Sequence, residues 1–297
     1  MNTTEKISIE KINIRSLKGV PFEVVAEAFL NAFADYGMTL DEESLAAMLR
    51  RRGAKMELSF AAFDDEGRIV SFILNGIGCH GGRATAYDTG TGTIKEYRGQ
   101  GLTDRIFSYS LTHLKQAGIE NYLLEVLTHN TPAVKIYSRQ GFETVRRLDC
   151  YTADNQQALD SLADKANRDI EIREMAVDEA QRCTSFIDFT PSWQNSFDSV
   201  RRNPEAFTCL IAYSGGIPVG MGISETAYGD ITQVAVDPTH RRRGIGSRLL
   251  SELIVRNRID RAKVLNVDHS CEAMGEFLCR SGFTLSCDQY EMCKPLV

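Results

Sequence analysis

Two short loops rich in glycine and arginine are the segments of this sequence best suited to bind an anion. One reads Arg-Gly-Gln-Gly from Arg98, and the other reads Arg-Arg-Arg-Gly-Ile-Gly from Arg241. Each follows a strand pattern and precedes a helix pattern. Backbone N–H groups at the start of a helix would therefore face the ligand, and the glycines would let a phosphate approach the backbone. The three arginines at 241–243 concentrate positive charge in a chain of net charge −6. We expect a phosphate or pyrophosphate site at these loops.

Two common nucleotide-binding motifs do not account for the loops. A Walker loop needs GxxxxGK[ST], and neither loop has its lysine or its spacing. A dinucleotide fingerprint needs a third glycine and a place directly after the first strand of a βαβ unit, whereas these loops follow about four predicted strands. The anion is therefore expected to belong to another kind of ligand.

The two loops belong to an internal repeat. Arg98 returns as Arg241, and the pair Gly141-Phe142 returns as Gly282-Phe283 at nearly the same offset along the chain. Landmarks that recur in the same order at nearly equal offsets predict two similar domains. We predict an N-terminal domain over residues 1–152, a linker with a helical pattern over 153–168, and a C-terminal domain over 169–297.

The order of predicted elements is the same in both repeats. A strand and an amphipathic helix come before a hairpin, and strands then alternate with helices through the loop to a last strand. This order predicts an α/β fold of two tandem domains, each with a mixed, mostly antiparallel sheet flanked by helices.

The composition is that of an ordinary globular protein. Of 297 residues, 43% are hydrophobic and 25% are charged, which argues against disorder. No run approaches 18 apolar residues, and the sequence does not start with a basic region followed by an apolar stretch. We therefore expect a cytoplasmic protein with neither a membrane span nor a secretory signal. The negative net charge argues against a protein that coats nucleic acid.

The cysteines and histidines form no metal-binding pattern. The eight cysteines include no CxxC pair, and the five histidines include no HxxH or HExxH motif. We expect the thiols to be reduced and buried, and we expect no metal site.

The order of the motifs resembles the GCN5-related N-acetyltransferase (GNAT) superfamily, and it does so twice. The family pattern is a strand, [QR]-x-x-G-x-[GA], a helix, a strand and N-x-x-A-x-x-x-Y-x-x-x-G-F. The first repeat matches it from Arg98 and from Asn130. The second matches it from Arg241, with Val-Ala-Val-Asp-Pro before the loop, and at Gly282-Phe283. The resemblance covers almost the whole chain and implies a tandem, two-domain member.

The resemblance implies an N-acetyltransferase that uses acetyl-CoA as co-substrate and needs no metal. In that family, the loop amides and arginine hold the pyrophosphate of an acyl-coenzyme A, and the preceding strand pairs with the pantetheine arm. An amine attacks the thioester directly, and a tyrosine of the last helix commonly protonates the departing thiolate. The acceptor would be a small-molecule or peptide amine, with no nucleic acid or membrane as partner.

The site residues follow from this resemblance. The implied catalytic residue is Tyr137. The implied cofactor-binding residues are Ile94, Arg98, Gly99, Gln100, Gly101, Leu102, Thr103, Asn130, Val236, Arg241, Arg242, Arg243, Gly244, Ile245 and Gly246.

The two loops match the family pattern unequally. The first has Thr103 where glycine or alanine is usual. Its segment from Ile94 to Arg98 is one residue shorter than the segment from Val236 to Arg241. The second repeat therefore has the better loop.

The last helix has the implied proton donor in only one repeat. At the offset that relates Gly141 to Gly282, Cys271 takes the position of Asn130, and Leu278 takes that of Tyr137. Leucine cannot donate a proton. We therefore expect turnover in the first domain, while the second binds acyl-CoA with little turnover or shapes the acceptor site.

Other roles remain open at the level of the sequence. Tyr137 also has the spacing of a core aromatic residue, and Asn130 also suits a helix N-cap. The candidates for a general base are Asp88, Glu125 and Glu225. The sequence also leaves two other interpretations open. The chain could bind or sense acyl-CoA without enzymatic activity, or the repeat could serve only packing.

Overall fold

The structure, a computed structural model, describes residues 11–36 and 40–296. The expectation of no secretory signal rests on the start of the sequence, of which the first ten residues lie outside the described residues. Contacts divide the chain into two units. Unit 1 comprises Met1–Glu125, Asn130–Glu143 and Met292–Val297, and unit 2 comprises Val126–His129 and Thr144–Glu291.

Unit 1 contains a sheet with helices packed against it. The strand order is β1 (Asn13–Ser16), β2 (Phe60–Phe63), β3 (Ile69–His80), β4 (Arg83–Thr93) and β5 (Asn121–Leu127), the last of which ends in unit 2. The pair β4–β5 is parallel, and the other neighbouring strands are antiparallel. The helices are α1 (Phe22–Phe33), α2 (Glu42–Arg52), α3 (Leu102–Gln116) and α4 (Thr131–Arg139).

Helix α1 packs on the sheet through an apolar face. Phe29 stacks on Phe72 of β3 with ring centroids 5.7 Å apart, and both side chains are buried. Burying one such aromatic side chain stabilises the fold by about 1.5–3 kcal/mol. Helix α2 begins where Asp41 accepts a hydrogen bond from the Ser44 amide (2.8 Å), and it ends at Gly53, whose φ of +74° suits glycine.

Unit 2 has the same architecture. Across its sheet the order is β12 (Thr284–Pro295), β6 (Glu143–Asp154), β11 (Arg261–Asp268), β10 (Asp230–Val236), β9 (Ile217–Glu225), β8 (Phe207–Ser214) and β7 (Glu171–Glu174). The pair β10–β11 is parallel. The helices are α5 (Asn155–Leu162), α6 (Val177–Gln181), α7 (Phe197–Arg201), α8 (Ile245–Val255) and α9 (Glu272–Arg280). The predicted α/β fold, with mixed and mostly antiparallel sheets, is confirmed.

The bounds of the two units differ from those of the predicted domains. The differences lie in the segment between the repeats and in the last strand of each repeat. Helix α5 occupies the predicted linker, and its Ala158 and Leu162 are buried in the core of unit 2. Strand β6, which follows the first repeat's α4, belongs almost entirely to unit 2. Residues 292–297 belong to unit 1, where the Leu296 amide donates to the carbonyl oxygen of Glu120 (2.7 Å). The ends of the sequence repeats at 152 and 169 are therefore not the ends of the units.

Candidate active site

The parallel strands on either side of the glycine-rich loop separate in both repeats. The register pairs between β4 and β5 end at Tyr87 and Leu123. Between β10 and β11 there is one register pair, Asp230 with Lys263. Beyond it, residues 232–235 and 264–267 line a cavity. Backbone groups without a ladder partner need other hydrogen bonds, and an extended ligand can supply them.

A bulge precedes the loop at the same place in each repeat. Thr89 in β4 and Thr232 in β10 are the bulged residues. The hydroxyl of Thr89 donates to the Leu74 carbonyl (3.0 Å), and that of Thr232 donates to the Ile223 carbonyl (3.2 Å). A bulge changes the direction of the side chains that follow it. The two threonines are related by the same offset as the two loop arginines, so the repeat holds at the level of single residues.

The two loops have the same backbone conformation. Gly99 and Arg242 have φ of +75° and +61°, and Gly101 and Gly244 have φ of +72° and +76°. The second pair are the N-cap residues of α3 and α8. A glycine has no side chain to cap the amides of the first turn, so these amides are open to an anion.

The side chains of Arg98 and Arg241 hold the loops in place. The Nε of Arg98 donates to the Thr93 carbonyl (3.0 Å), and its Nη1 contacts Asp35 (3.0 Å). The Nε of Arg241 donates to the Val236 carbonyl (3.0 Å), and its Nη2 contacts Asp188 (2.8 Å). Both guanidinium groups therefore link a strand end to an upstream aspartate. Sequence reasoning assigned them to the cofactor and missed both aspartates.

These contacts also correct the comparison of the two loop segments. Thr93 and Val236 both lie five residues before the loop arginine that binds their carbonyl oxygen. The expected one-residue difference is therefore wrong, and Thr93 is the counterpart of Val236. The side chain of Ile94 packs against the core of unit 1, and its amide donates to the Val70 carbonyl (3.0 Å), so neither is available to a ligand.

Several loop side chains support the loop itself. Leu102 and Ile245, the first residues of α3 and α8, have buried side chains, so only their amides can face a ligand. Gln100 donates to the Glu96 carbonyl (3.2 Å), and Arg243 donates to the Thr239 carbonyl (3.4 Å). The side chain of Arg242 also lines a cavity, and it makes none of the hydrogen bonds to the loop that Arg241 and Arg243 make.

A cavity of about 520 Å³ opens at the second loop. Its lining brings together the predicted Val236, Arg241, Arg242, Gly244, Ile245 and Gly246. Its wall consists of the end of β10, the loop, the start of α8 and α9, together with Lys165 and Asp188. A smaller cavity of about 40 Å³ between β10 and β11 shares Asp188, Val234, Ala235 and Met274 with it. The cavity therefore leads from the helix start into the gap between the strands.

The first repeat has a carboxylate at the equivalent place. Thr103 and Asp104 in α3 correspond to Gly246 and Ser247 in α8. Asp104 accepts a hydrogen bond from Gln140 (2.8 Å) and pairs with Arg139 (3.3 Å) at the end of α4. A negative charge here repels a second anion, and the contacts join the two helices between which the second repeat has its cavity. The second loop has Ser247 in place of this carboxylate.

Tyr137, on α4 of the first repeat, lies beside Asp88 of β4. Its ring packs edge-on against Phe107 and Phe142, with centroids 5.9 Å away. Burial, together with the carboxyl of Asp88, raises the pKa of Tyr137 well above its usual value. Burial also raises the pKa of Asp88 to about 6, although hydrogen bonds from Thr91 (2.6 Å) and the Gly90 amide (2.9 Å) oppose the shift. The phenol therefore keeps its proton at neutral pH, and Asp88 titrates near neutrality.

The second repeat has only apolar residues at these three positions. Ile231, Val234 and Leu278 correspond to Asp88, Thr91 and Tyr137. The correspondence rests on the shared bulge for the strand and on the shared nine-residue helix for α4 and α9. The acid and base candidates therefore lie in the first repeat, and the cavity of about 520 Å³ lies in the second.

The other residues singled out in the sequence, Asn130, Glu125 and Glu225, have different surroundings from Asp88 and Tyr137. Asn130 caps α4 by accepting from the Ala133 amide (3.3 Å), and Cys271 is the N-cap residue of α9. Glu125 lies beside Tyr87 and helps to raise the pKa of that buried tyrosine, after burial itself. Glu225 is buried and lies opposite Asp230 in the antiparallel β9–β10 register, at the end of β10 away from the loop.

Metal-binding clusters and membrane-spanning helices are both absent from residues 11–36 and 40–296. Within these ranges, no group of three or more His, Cys, Asp or Glu side chains is arranged to hold a metal ion. Within the same ranges, no helix has the length and apolar character needed to cross a membrane.

The sequence model of the acetyltransferase (GNAT) family matches the chain twice, over residues 22–142 and 171–272. These matches cover more than half of the chain, which therefore belongs to the acetyltransferase (GNAT) family. The resemblance inferred from the motifs is confirmed. Members of this family are acyl-CoA-dependent N-acetyltransferases that act on small-molecule, peptide or protein amines.

Similar proteins agree with this class. N-alpha-acetyltransferase 30 of Schizosaccharomyces pombe is 31% identical over 103 residues, which are 35% of this chain and 69% of that protein. Mycothiol acetyltransferase of Saccharomonospora viridis is 34% identical over 91 residues, which are 29% of this chain and only 30% of that protein.

Solved structures show the tandem fold. A tandem GNAT protein from the clavulanic acid biosynthesis pathway has a TM-score of 0.72 at 12% identity, covering 96% of this chain and 99% of that one. A GCN5-related N-acetyltransferase from Sphaerobacter thermophilus has a TM-score of 0.67 at 16% identity, covering 97% and 96%.

Proposed function

We propose that the chain transfers an acetyl group from acetyl-CoA to a primary amine in the cytoplasm, and that its two repeats have different tasks. The second repeat holds acyl-CoA tightly, while the first binds it more weakly and carries the groups that move protons during its turnover. The observation that carries the proposal is the cavity of about 520 Å³ that begins at the uncapped start of α8 and leads between β10 and β11.

The residues of this cavity fit an acyl-CoA. The amides of residues 245–247 and the side chain of Arg242 would hold the pyrophosphate, and the free edge of β10 would pair with the pantetheine arm. Acetyl-CoA supplies an acyl group activated as a thioester. The protein contributes position and the exclusion of water, which convert an encounter of two molecules into a reaction within one complex.

The first repeat would supply acid and base. Tyr137 would hold a proton on its phenolic oxygen for the departing thiolate, and its raised pKa keeps that proton in place. Asp88, with a pKa of about 6, would be ionised at neutral pH, accept the proton that the amine loses on attacking the thioester, and pass it to the phenolate of Tyr137. Asp104 must leave Gln140 and Arg139 before this repeat can bind an anion, so its affinity for CoA would be lower than that of the second repeat.

A second candidate is an acyl-CoA-binding protein without turnover. It is favoured by the apolar Ile231, Val234 and Leu278 in the repeat with the open cavity. Release of CoA thiol from acetyl-CoA separates the two functions. The amines tested as acceptors should include a peptide with a free α-amino group and small-molecule primary amines. One of the similar proteins is named an N-alpha-acetyltransferase and the other a mycothiol acetyltransferase, so their names indicate different acceptors. Amine-dependent release supports the enzyme, and CoA binding without release supports the alternative.

A further inference from the structure

We propose that Lys165, from the segment that connects the two repeats, binds the 3′-phosphate of the cofactor at the outer end of the unit 2 cavity. This inference rests on the proposed function, since it assigns a residue to the CoA site. It goes further because it gives the connecting segment a task in recognition, where the sequence predicted only a linker.

The connecting segment is fixed against the second loop. The Asn167 amide donates to the Gly244 carbonyl (3.2 Å), and the Asn167 side chain donates to the Arg243 carbonyl (2.9 Å). A Cβ atom on Gly244 would lie 2.4 Å from the carbonyl oxygen of Lys165. Glycine at 244 is therefore required both by its φ of +76° and by the close approach of this segment.

The side chain of Lys165 lines the cavity and reaches the end of α9. Its Nζ donates to the Arg280 carbonyl at the end of α9 (2.8 Å), and Lys165 is part of the cavity lining. An ammonium group has three donors, so two remain for a ligand. Lys165 is exposed, which leaves it accessible from the mouth.

Lys165 lies at the outer end of the cavity. The inner end is marked by Val234 and Met274, which also line the smaller cavity between the strands. Lys165 and Arg280 line only the larger cavity. Along a CoA molecule the order is thiol, pantetheine, pyrophosphate and then the ribose 3′-phosphate. With the thiol between the strands and the pyrophosphate at the start of α8, the next anionic group is the 3′-phosphate.

The charge at this end favours a phosphate. Arg280 also lines the outer end, but it is ion-paired with Glu276, and that pair has no net charge. Lys165 is ion-paired with no carboxylate of the described residues, since its Nζ contact is a neutral carbonyl. A charge-assisted hydrogen bond from an ammonium group to a phosphate is stronger than one between neutral groups.

The test compares CoA with 3′-dephospho-CoA by calorimetric titration of the full chain. The unit 2 site is identified as the one that is weakened when Gly246 in the cavity wall is replaced by Leu. We expect CoA to bind roughly tenfold more tightly than 3′-dephospho-CoA. In Lys165→Met this ratio should fall to about one to two, with the affinity for 3′-dephospho-CoA nearly unchanged. Lys165→Arg should retain most of the ratio.

Matched controls separate recognition from folding. Lys115→Met removes the same charge from the exposed end of α3, outside the cavity lining, and should leave the ratio unchanged. Thermal unfolding should show that all variants are folded. Equal binding of the two ligands by the wild type, or an unchanged ratio in Lys165→Met, would overturn this inference and leave the proposed function intact. If neither ligand binds, the proposed function itself fails.

Discussion

Tyr137 and Leu278 occupy the same position, the seventh residue, in the equivalent nine-residue helices α4 and α9. The carboxyl of Asp88 lies beside Tyr137. In the second repeat, the strand position equivalent to Asp88 is the apolar Ile231. The groups suited to proton transfer therefore lie in the first repeat, and the cavity of about 520 Å³ lies in the second.

Removal of the Tyr137 hydroxyl should slow turnover without unfolding the protein. Tyr137→Phe retains the ring contacts with Phe107 and Phe142. Positioned acid catalysis contributes about 10²- to 10⁴-fold, so kcat should fall within that range while the Kd for CoA stays unchanged. Steady-state kinetics and calorimetry measure the two effects.

Tyr122→Phe is the matched control for that variant. The Tyr122 hydroxyl donates to Asn75 in a buried contact of 2.5 Å. Its loss should cost about 1–3 kcal/mol of unfolding free energy and leave kcat per folded molecule unchanged. If Tyr137→Phe behaves like this control, Tyr137 is a core residue.

Asp88 should make the stability of the protein depend on pH. Its folded-state pKa of about 6 lies above the usual value of 3.8 because of burial. Its contribution to stability is therefore fully present below pH 3.8 and is lost as the pH rises through 6. Each unit of pKa difference corresponds to about 1.4 kcal/mol, so the total loss is on the order of a few kcal/mol.

Asp88→Asn should remove that loss. Urea unfolding at pH 4.5 and pH 7 gives a difference for each protein, and the variant should lose less stability than the wild type over this interval. Subtracting the stability difference of the variant from that of the wild type cancels the contributions of the titratable groups that the two proteins share. An identical pH dependence would show that Asp88 has no raised pKa.

A larger side chain at Gly246 should block the second cofactor site. A Cβ atom there would lie 3.4 Å from Phe277 and 3.6 Å from Val236, which is ordinary contact, and Gly246 lines the cavity. Gly246→Leu should lower the affinity of the unit 2 site for CoA by at least roughly tenfold, because the added side chain occupies ligand space. The unfolding free energy should be unchanged or higher by about 1 kcal/mol, since leucine favours helix over glycine.

Gly246→Ala is the control, and it should bind CoA almost as the wild type does. Calorimetric stoichiometry is the measurement. Unchanged binding in Gly246→Leu would show that the second loop is only a turn. Gly244 is unsuitable for this test because any side chain there collides with the Lys165 backbone.

Exchange of the residues at Asp104 and Ser247 should shift affinity between the repeats. Asp104→Ser removes the carboxylate and its contacts with Gln140 and Arg139, so the weaker CoA site should become stronger by roughly tenfold. Ser247→Asp should weaken the stronger site by a similar factor. Two-site calorimetric titrations measure both changes. Affinities that do not respond to either substitution would contradict the proposed electrostatic difference.

The sequence predicted the fold and the loop because both rest on short-range patterns that occur twice. The offset between Arg98 and Arg241 aligned strand, loop and helix in the two repeats. It also held for Thr89 and Thr232, whose hydroxyl contacts in the bulge only the structure shows. The signal for that bulge was present as two threonines at the same offset.

Long-range contacts were beyond sequence reasoning. The family pattern predicts that Arg98 binds the cofactor, and nothing near it in the sequence indicates that it contacts Asp35, 63 residues upstream. Ile94 was predicted to bind the cofactor because the length of the turn between the strand and the arginine was misjudged. The position of β6 in unit 2 depends on strand pairing with β11, which no local pattern specifies.

The most direct test of the proposed acetyl transfer is mass spectrometry of the amine products formed from acetyl-CoA with a ¹³C-labelled acetyl group. The wild type and Tyr137→Phe are incubated at equal CoA occupancy with a free α-amino peptide and with small-molecule primary amines. We predict labelled N-acetyl product from at least one amine, in an amount equal to the thiol released, and roughly 10²- to 10⁴-fold slower formation by Tyr137→Phe. Saturable CoA binding without a labelled product from any amine, or equal rates for the two proteins, would contradict the proposal.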